Sequence, residues 1–158
     1  MCNILNDFWG WAGITPMEYA CHGILAFDKG VEECDFPNFW ELLQYAQKIV
    51  NEDRLDENEI DELITIMALD NEGEHTLSYI EEYSSKKQLS QIIDMGIVHC
   101  QPEARWQIAE LLYRCQPERF LLYLSQMTKD EHPCVQKRAW NCWIRLQEEG
   151  AIGSNFLP

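Results

Sequence analysis

The chain predicts an all-α fold built of antiparallel helix pairs, and three observations carry that reading. Apolar residues recur at i, i+3, i+4 and i+7, as in Ile60, Leu63, Ile64 and Met67, the spacing of one helix face. Pro16, Pro102, Pro117 and Pro133 stand where apolar periodic segments begin, and the first helical position has no use for the N–H that proline lacks. No stretch alternates apolar and polar residues for long enough to build a sheet.

The 158 residues are close to the common domain size, and no Pro/Gly/Ser-rich break divides them. Hydrophobic residues at 46% and aromatics at 11% supply enough apolar surface to offset the entropy of ordering. The expectation is one all-α domain over 1–158, with acidic N-terminal helices in 1–73, helical repeats in 74–149 and a tail at 150–158.

Thr15, Pro16 and Glu18 form an N-cap, a proline start and an early acid, which predicts a helix from there to about Asp28, stopped by Gly30. A second start lies at Asp35 to Pro37, followed by Phe39, Leu42, Leu43, Ala46, Ile49 and Val50 up to about Asn51. Asp56 with Glu59 resembles a capping box and opens a helix whose apolar stripe leaves Glu57, Asp61 and Glu62 on the other side. Acids early in that helix also suit its positive dipole end. Asp70 to Glu74 is the turn that follows. Further helices are expected at about His75–Tyr83, Lys86–Met95, 102–115, 117–128 and 133–149.

The segments beginning Pro102-Glu103-Ala104-Arg105-Trp106 and Pro133-Cys134-Val135-Gln136-Lys137 align at an offset of 31 residues. Ala104 then matches Val135, Ile108 matches Ala139 and Leu112 matches Trp143. One step back, Leu89, Ile92 and Ile93 match Phe120, Tyr123 and Leu124, so both helices of a pair repeat. With Lys129-Asp130-Glu131-His132-Pro133-Cys134-Val135-Gln136-Lys137-Arg138-Ala139, the C-terminal half resembles the short bacterial HEAT-like repeat family. That resemblance implies helix pairs stacked as a short α-solenoid, each pair burying its apolar face on its neighbours. Trp140 and Trp143 on the last helix are read as core residues, with an aromatic anchor for a partner as the alternative. Phe8, Trp9 and Trp11 either cover the first helices or form an exposed aromatic contact.

The net charge of −15 is local. From Glu52 to Glu82, twelve acids face one base, Arg54, for −11, whereas residues 101–149 hold seven bases and seven acids. Such a patch repels nucleic acid and anionic membranes and attracts a basic protein surface. The first ten residues lack a basic region followed by an apolar run, and no segment approaches the roughly 20 apolar residues of a membrane span. The expected location is the cytoplasm. Seven cysteines without a CxxC are read as reduced thiols; His99, Cys100, Cys115, His132, Cys134 and Cys142 match no zinc-site spacing.

No GxSxG, HExxH, P-loop or GxGxxG occurs. Cys21 and His22 are neighbours on a helix, about 100° apart, a poor catalytic pair. Asp70, Glu72, Glu74, Leu77 and Glu81 have the spacing of a calcium loop, but His75 stands where that loop needs glycine. The arginines of the C-terminal half are offset by acids, against a nucleic-acid enzyme. The expectation is a non-enzyme without cofactor or metal.

A small acidic α-domain of this character resembles bacterial immunity proteins, including those of contact-dependent growth-inhibition pairs. The resemblance implies tight stoichiometric binding to a cognate toxin, a basic nuclease domain, with carboxylates standing where the nuclease expects phosphates. The candidate contact residues are Glu57, Asp61, Glu62, Asp70, Glu72 and Glu74. The alternative is a HEAT-like adaptor or assembly factor for which the acidity is incidental.

Overall fold

The computed structural model describes residues 3–28 and 30–153, so Cys2 and the end of the 150–158 tail lie outside the described residues. Among the described residues the chain is all-helical: nine α-helices, two short 3-10 turns and no strand.

The first helix, α1 (Asn3–Ala12), is one that the sequence reading did not assign. Leu5, Phe8 and Trp9, at i, i+3 and i+4, form its buried face. Phe8 lies at the centre of a ring cluster, 4.9 Å from Trp9, 5.8 Å from Trp11 and 5.4 Å from Phe36 between centroids. These aromatics therefore belong to the interior, with Trp11 half-buried at its margin.

Helix α2 (Pro16–His22) starts as expected: Thr15 Oγ1 accepts from Glu18 N at 3.2 Å, and Glu18 Oε2 accepts from Thr15 N at 2.7 Å. It stops six residues short of Asp28, and the chain tightens into a 3-10 turn, Gly23–Ala26. The reason is Gly23, whose φ of +53° leaves the helical region; a Cβ there would also lie 2.8 Å from Glu103 Oε1. The start foreseen at Asp35 to Pro37 is a 3-10 turn, Glu33–Asp35, and α3 (Phe39–Val50) begins two residues after Pro37.

Helix α4 (Glu57–Leu69) carries the predicted capping box between Asp56 and Glu59. Its second half departs from a simple amphipathic pattern, because every residue from Leu63 to Leu69 is buried. A helix enclosed on all sides lies at the centre of a fold. Helices α5 (His75–Tyr83), α6 (Lys86–Gly96) and α7 (Pro102–Cys115) match expectation to within a residue. Helix α8 (Phe120–Met127) starts three residues later than Pro117, since Arg119 takes a left-handed φ of +67° that no helix interior tolerates. Helix α9 (Pro133–Glu148) is the last.

Helices α4, α7 and α9 pack side by side in that order, with α3 against α4 and α5, α5 and α6 against α4 and α7, and α8 against α7 and α9. Buried apolar residues from Leu5 to Ile152 form one continuous core. Among the positions paired by the 31-residue offset, Ala104, Val135, Ile108, Ala139, Leu112 and Trp143 are all buried, whereas Tyr123 is half-buried where its match Ile92 is enclosed. Trp140, read as a core residue, instead faces outward at 41% exposure, one turn away from Trp143.

Polar side chains tie the helices together at the points where backbone groups would otherwise lack partners. Gln88 Nε2 donates to Val50 O at 3.1 Å and Glu52 O at 2.8 Å, closing the C-terminal end of α3. Gln107 donates to Met67 O and so joins α7 to α4. Arg105 grips Asp130 with two bonds of 2.9 and 3.0 Å while donating to the carbonyls of His99 and Cys100. Asp130 in turn accepts from His132 N at 2.8 Å, which sets the chain for α9.

Candidate functional site

The six candidate acids fall into two groups at opposite ends of α4, which at 1.5 Å per residue is about 20 Å long. At the N-terminal end, Glu57 is exposed in the first turn, where the helix dipole favours an acid. Asp61 follows one turn on, exposed, with Oδ1 3.4 Å from His99 Nε2. That contact holds the Asp61 carboxyl below its usual pKa, chiefly through the hydrogen bond from His99. Glu62 is half-buried and accepts from the Tyr45 hydroxyl at 2.7 Å. Exposed Glu52, Asp53 and Asp56 continue this edge back to the end of α3.

At the other end the candidates have structural roles. Asp70 is buried at 2% exposure, so it is not a surface contact as expected from sequence. Its Oδ2 accepts from Thr76 N at 2.7 Å, and its Oδ1 lies 3.0 Å from His75 Nδ1, capping the first turn of α5. Glu74 binds Arg114 Nη2 at 2.7 Å, and Glu81 binds Arg114 Nη1 at 3.3 Å. Of the acids spaced like a calcium loop, Asp70 is thus directed to Thr76 and His75, and Glu74 and Glu81 are directed to Arg114. Of the candidates Asp70, Glu72 and Glu74, Glu72 alone is exposed, beside a hollow of about 280 Å³ lined by Glu32, Glu33, Cys34 and Phe39.

A second charged cluster escaped the sequence reading. Glu110, at 3% exposure, receives Arg145 Nη1 at 3.0 Å and Arg114 Nε and Arg138 Nη1 at 3.3 Å each. Burial works to raise the Glu110 pKa, but the guanidiniums of Arg145, Arg114 and Arg138 outweigh it and hold the group below the usual range. The same burial, with the Glu110 charge beside it, pushes the Cys142 thiol up to about 12. Arg138 stacks 4.4 Å above the Trp106 ring and Arg145 3.8 Å above Tyr113. The Glu110–Arg114 pair is readable at i, i+4; the other two arginines lie 28 and 35 residues away and only the fold brings them in.

A polar cleft of about 500 Å³ opens where the turn after α2 meets the starts of α7 and α9, lined by Cys21, His22, Cys100, Glu103, Arg105 and His132. Burial raises the Glu103 pKa, and neither Glu103 Oε2 nor His132 Nδ1 has a protein partner among the described residues. Among those residues no group of three or more His, Cys, Asp or Glu is arranged to hold a metal ion. Cys100, Cys115, Cys134 and Cys142 are all free thiols. No described helix is long and apolar enough to cross a membrane.

Comparison with protein-family models, curated proteins and solved structures finds no match to this chain. The functional reading therefore rests on geometry and charge.

Proposed function

We propose that the chain is a non-catalytic protein inhibitor, an immunity-type protein that neutralises a basic toxin domain, a nuclease, by stoichiometric binding in the cytoplasm. The observation that carries this reading is the acidic edge from Glu52 to Asp61. There Glu52, Asp53, Asp56, Glu57 and Asp61 are exposed together, with Arg54 as the one base among them. Carboxylates so presented can occupy a nuclease's phosphate positions, and opposed charge speeds encounter. In this reading α4, α7 and α9 are successive first helices of HEAT-like pairs and α6 and α8 are second helices, a rigid stack that holds the edge in place.

The test is co-expression with the product of the neighbouring reading frame, scored for rescue of toxicity and for a one-to-one complex. Changing Asp53, Glu57 and Asp61 to lysine, with the capping residue Asp56 kept, is expected to slow association at least about ten-fold at low salt, with the difference closing at high salt. Rescue with unchanged association kinetics removes the edge from the interface. Recovery of several partners without rescue overturns the inhibitor reading in favour of an adaptor.

A further inference from the structure

We infer that the groove where α9 lies against α7 is an oxyanion site, one that takes a tetrahedral dianion of the phosphate class. Cys134, Arg138, Asn141 and Arg145 stand at i, i+4, i+7 and i+11 of α9, the spacing of a single helix stripe. Two hollows open along that stripe and share Arg138 and Asn141. One, of about 320 Å³, is completed by Glu110, Ile144 and Arg145, and the other, of about 500 Å³, by Trp106, Cys134 and Lys137.

The two arginines are fixed side by side before any ligand arrives. Arg138 Nη1 binds Glu110 Oε2 at 3.3 Å and Arg145 Nη1 binds Glu110 Oε1 at 3.0 Å, so both guanidiniums converge on one carboxylate. Each also stacks on a ring of α7, Trp106 or Tyr113, while its side chain stays 37% or 46% exposed. A guanidinium has five N–H donors and Glu110 engages one nitrogen of each, which leaves donors for a ligand. Holding them in place in advance lowers the entropy cost of binding. Exposed Asn141, between the arginines on the same stripe, adds an amide, and exposed Lys137 an ammonium.

Charge decides which anion fits. Glu110 faces Arg114 as well, but Arg114 is already matched by Glu74 and Glu81. Arg138, Arg145 and Lys137 against Glu110 leave two positive charges unmatched, and no acid lies between Pro133 and Leu146. Donors from four side chains and two unmatched charges suit a dianion with several acceptor oxygens, whereas a planar carboxylate is served by one guanidinium fork. The site lies on α7 and α9 and the acidic edge on α4, so neither inference depends on the other.

The experiment is a titration of isotope-labelled protein at pH 7 and constant ionic strength, following the arginine Nε–H and asparagine side-chain amide resonances. The probes are inorganic phosphate and phosphoserine amide, with acetate as the planar control. Saturable shifts at Arg138, Asn141 and Arg145 are expected with both phosphates and not with acetate. The tighter of the two phosphates tells a free anion from a phosphorylated side chain. Lys137→Gln and Asn141→Ala should each weaken binding at least about three-fold. Both positions are exposed and neither binds Glu110, so circular dichroism should show both variants folded. The inference is overturned if the shifts grow with concentration without saturating, or if acetate saturates as tightly as phosphate. It is also overturned if neither substitution changes the affinity, because the anion then sits elsewhere.

Discussion

A buried carboxylate without partners would shift its pKa or cost several kcal/mol, and Glu110 escapes that cost through Arg114, Arg138 and Arg145. Replacing it with glutamine leaves three cations converging on a neutral group. The expected destabilisation is about 2 kcal/mol, below the roughly 3–5 kcal/mol of a fully enclosed pair, because Arg138 and Arg145 reach solvent. Urea unfolding at pH 7 measures it. Since the Glu110 pKa is lowered on folding, its contribution is present above the ordinary value of 4.5 and is lost as the pH falls through the folded value. Glu103 has the opposite sign. Its raised pKa makes the folded state bind the proton more tightly, so stability falls as the pH rises from 4.5 through the folded value. Glu103→Gln should therefore raise Tm at pH 7, with the gain vanishing near pH 4; a lower Tm at pH 7 would show that the carboxylate is needed. Asp70→Ala should cost about 1–2 kcal/mol through the lost cap on α5, measured by the same unfolding curve.

At the scale of the helix, the starts closed by a local capping box were the legible part, and the other starts and some ends were not. Thr15–Glu18, Asp56–Glu59 and Ser85–Gln88 are local boxes whose partners lie three residues apart, so the sequence contains all the information. The late start of α8 and the early end of α2 depend on left-handed residues, Arg119 and Gly23, and for a non-glycine residue only the fold reveals such a choice. Gln116, with φ +43° at the end of α7, is another. Gln116→Gly should stabilise the chain by up to about 1 kcal/mol, because glycine takes this conformation without steric cost. An unchanged or lower denaturation midpoint would mean that the glutamine side chain has an unseen role. Helix α1 was missed although Leu5, Phe8 and Trp9 have helical spacing, since no cap residue announces it. The candidate acids divided for a related reason: periodicity shows that Glu57 and Asp61 face outward, but not that Glu74 meets Arg114, 40 residues on.

For the molecule as a whole, charge is uneven and the core is shared. The −11 of residues 52–82 repels itself over distances comparable with the Debye length, about 10 Å at 0.1 M salt. Raising sodium chloride from low ionic strength should therefore raise Tm, and the lysine reversals at Asp53, Glu57 and Asp61 should flatten that dependence. The three changes sit on exposed side chains outside the Asp56–Glu59 capping box, so helical content should be retained. The all-α class followed directly from the sequence, because the helical period is written into every long segment. Which helix lies innermost did not, since burial on all sides reflects what surrounds a segment.

The enclosure of Leu63 to Leu69 has a kinetic consequence. No fraying end or mobile turn can expose the amides at the middle of α4, so deuterium should enter them only when α3, α6 and α7 separate from it together. These amides should be the slowest in the chain to exchange, and their protection should report the free energy of global opening. The exposed acids at the start of the same helix should exchange several orders of magnitude sooner, so that one element holds both the most persistent part of the molecule and the part offered to a partner.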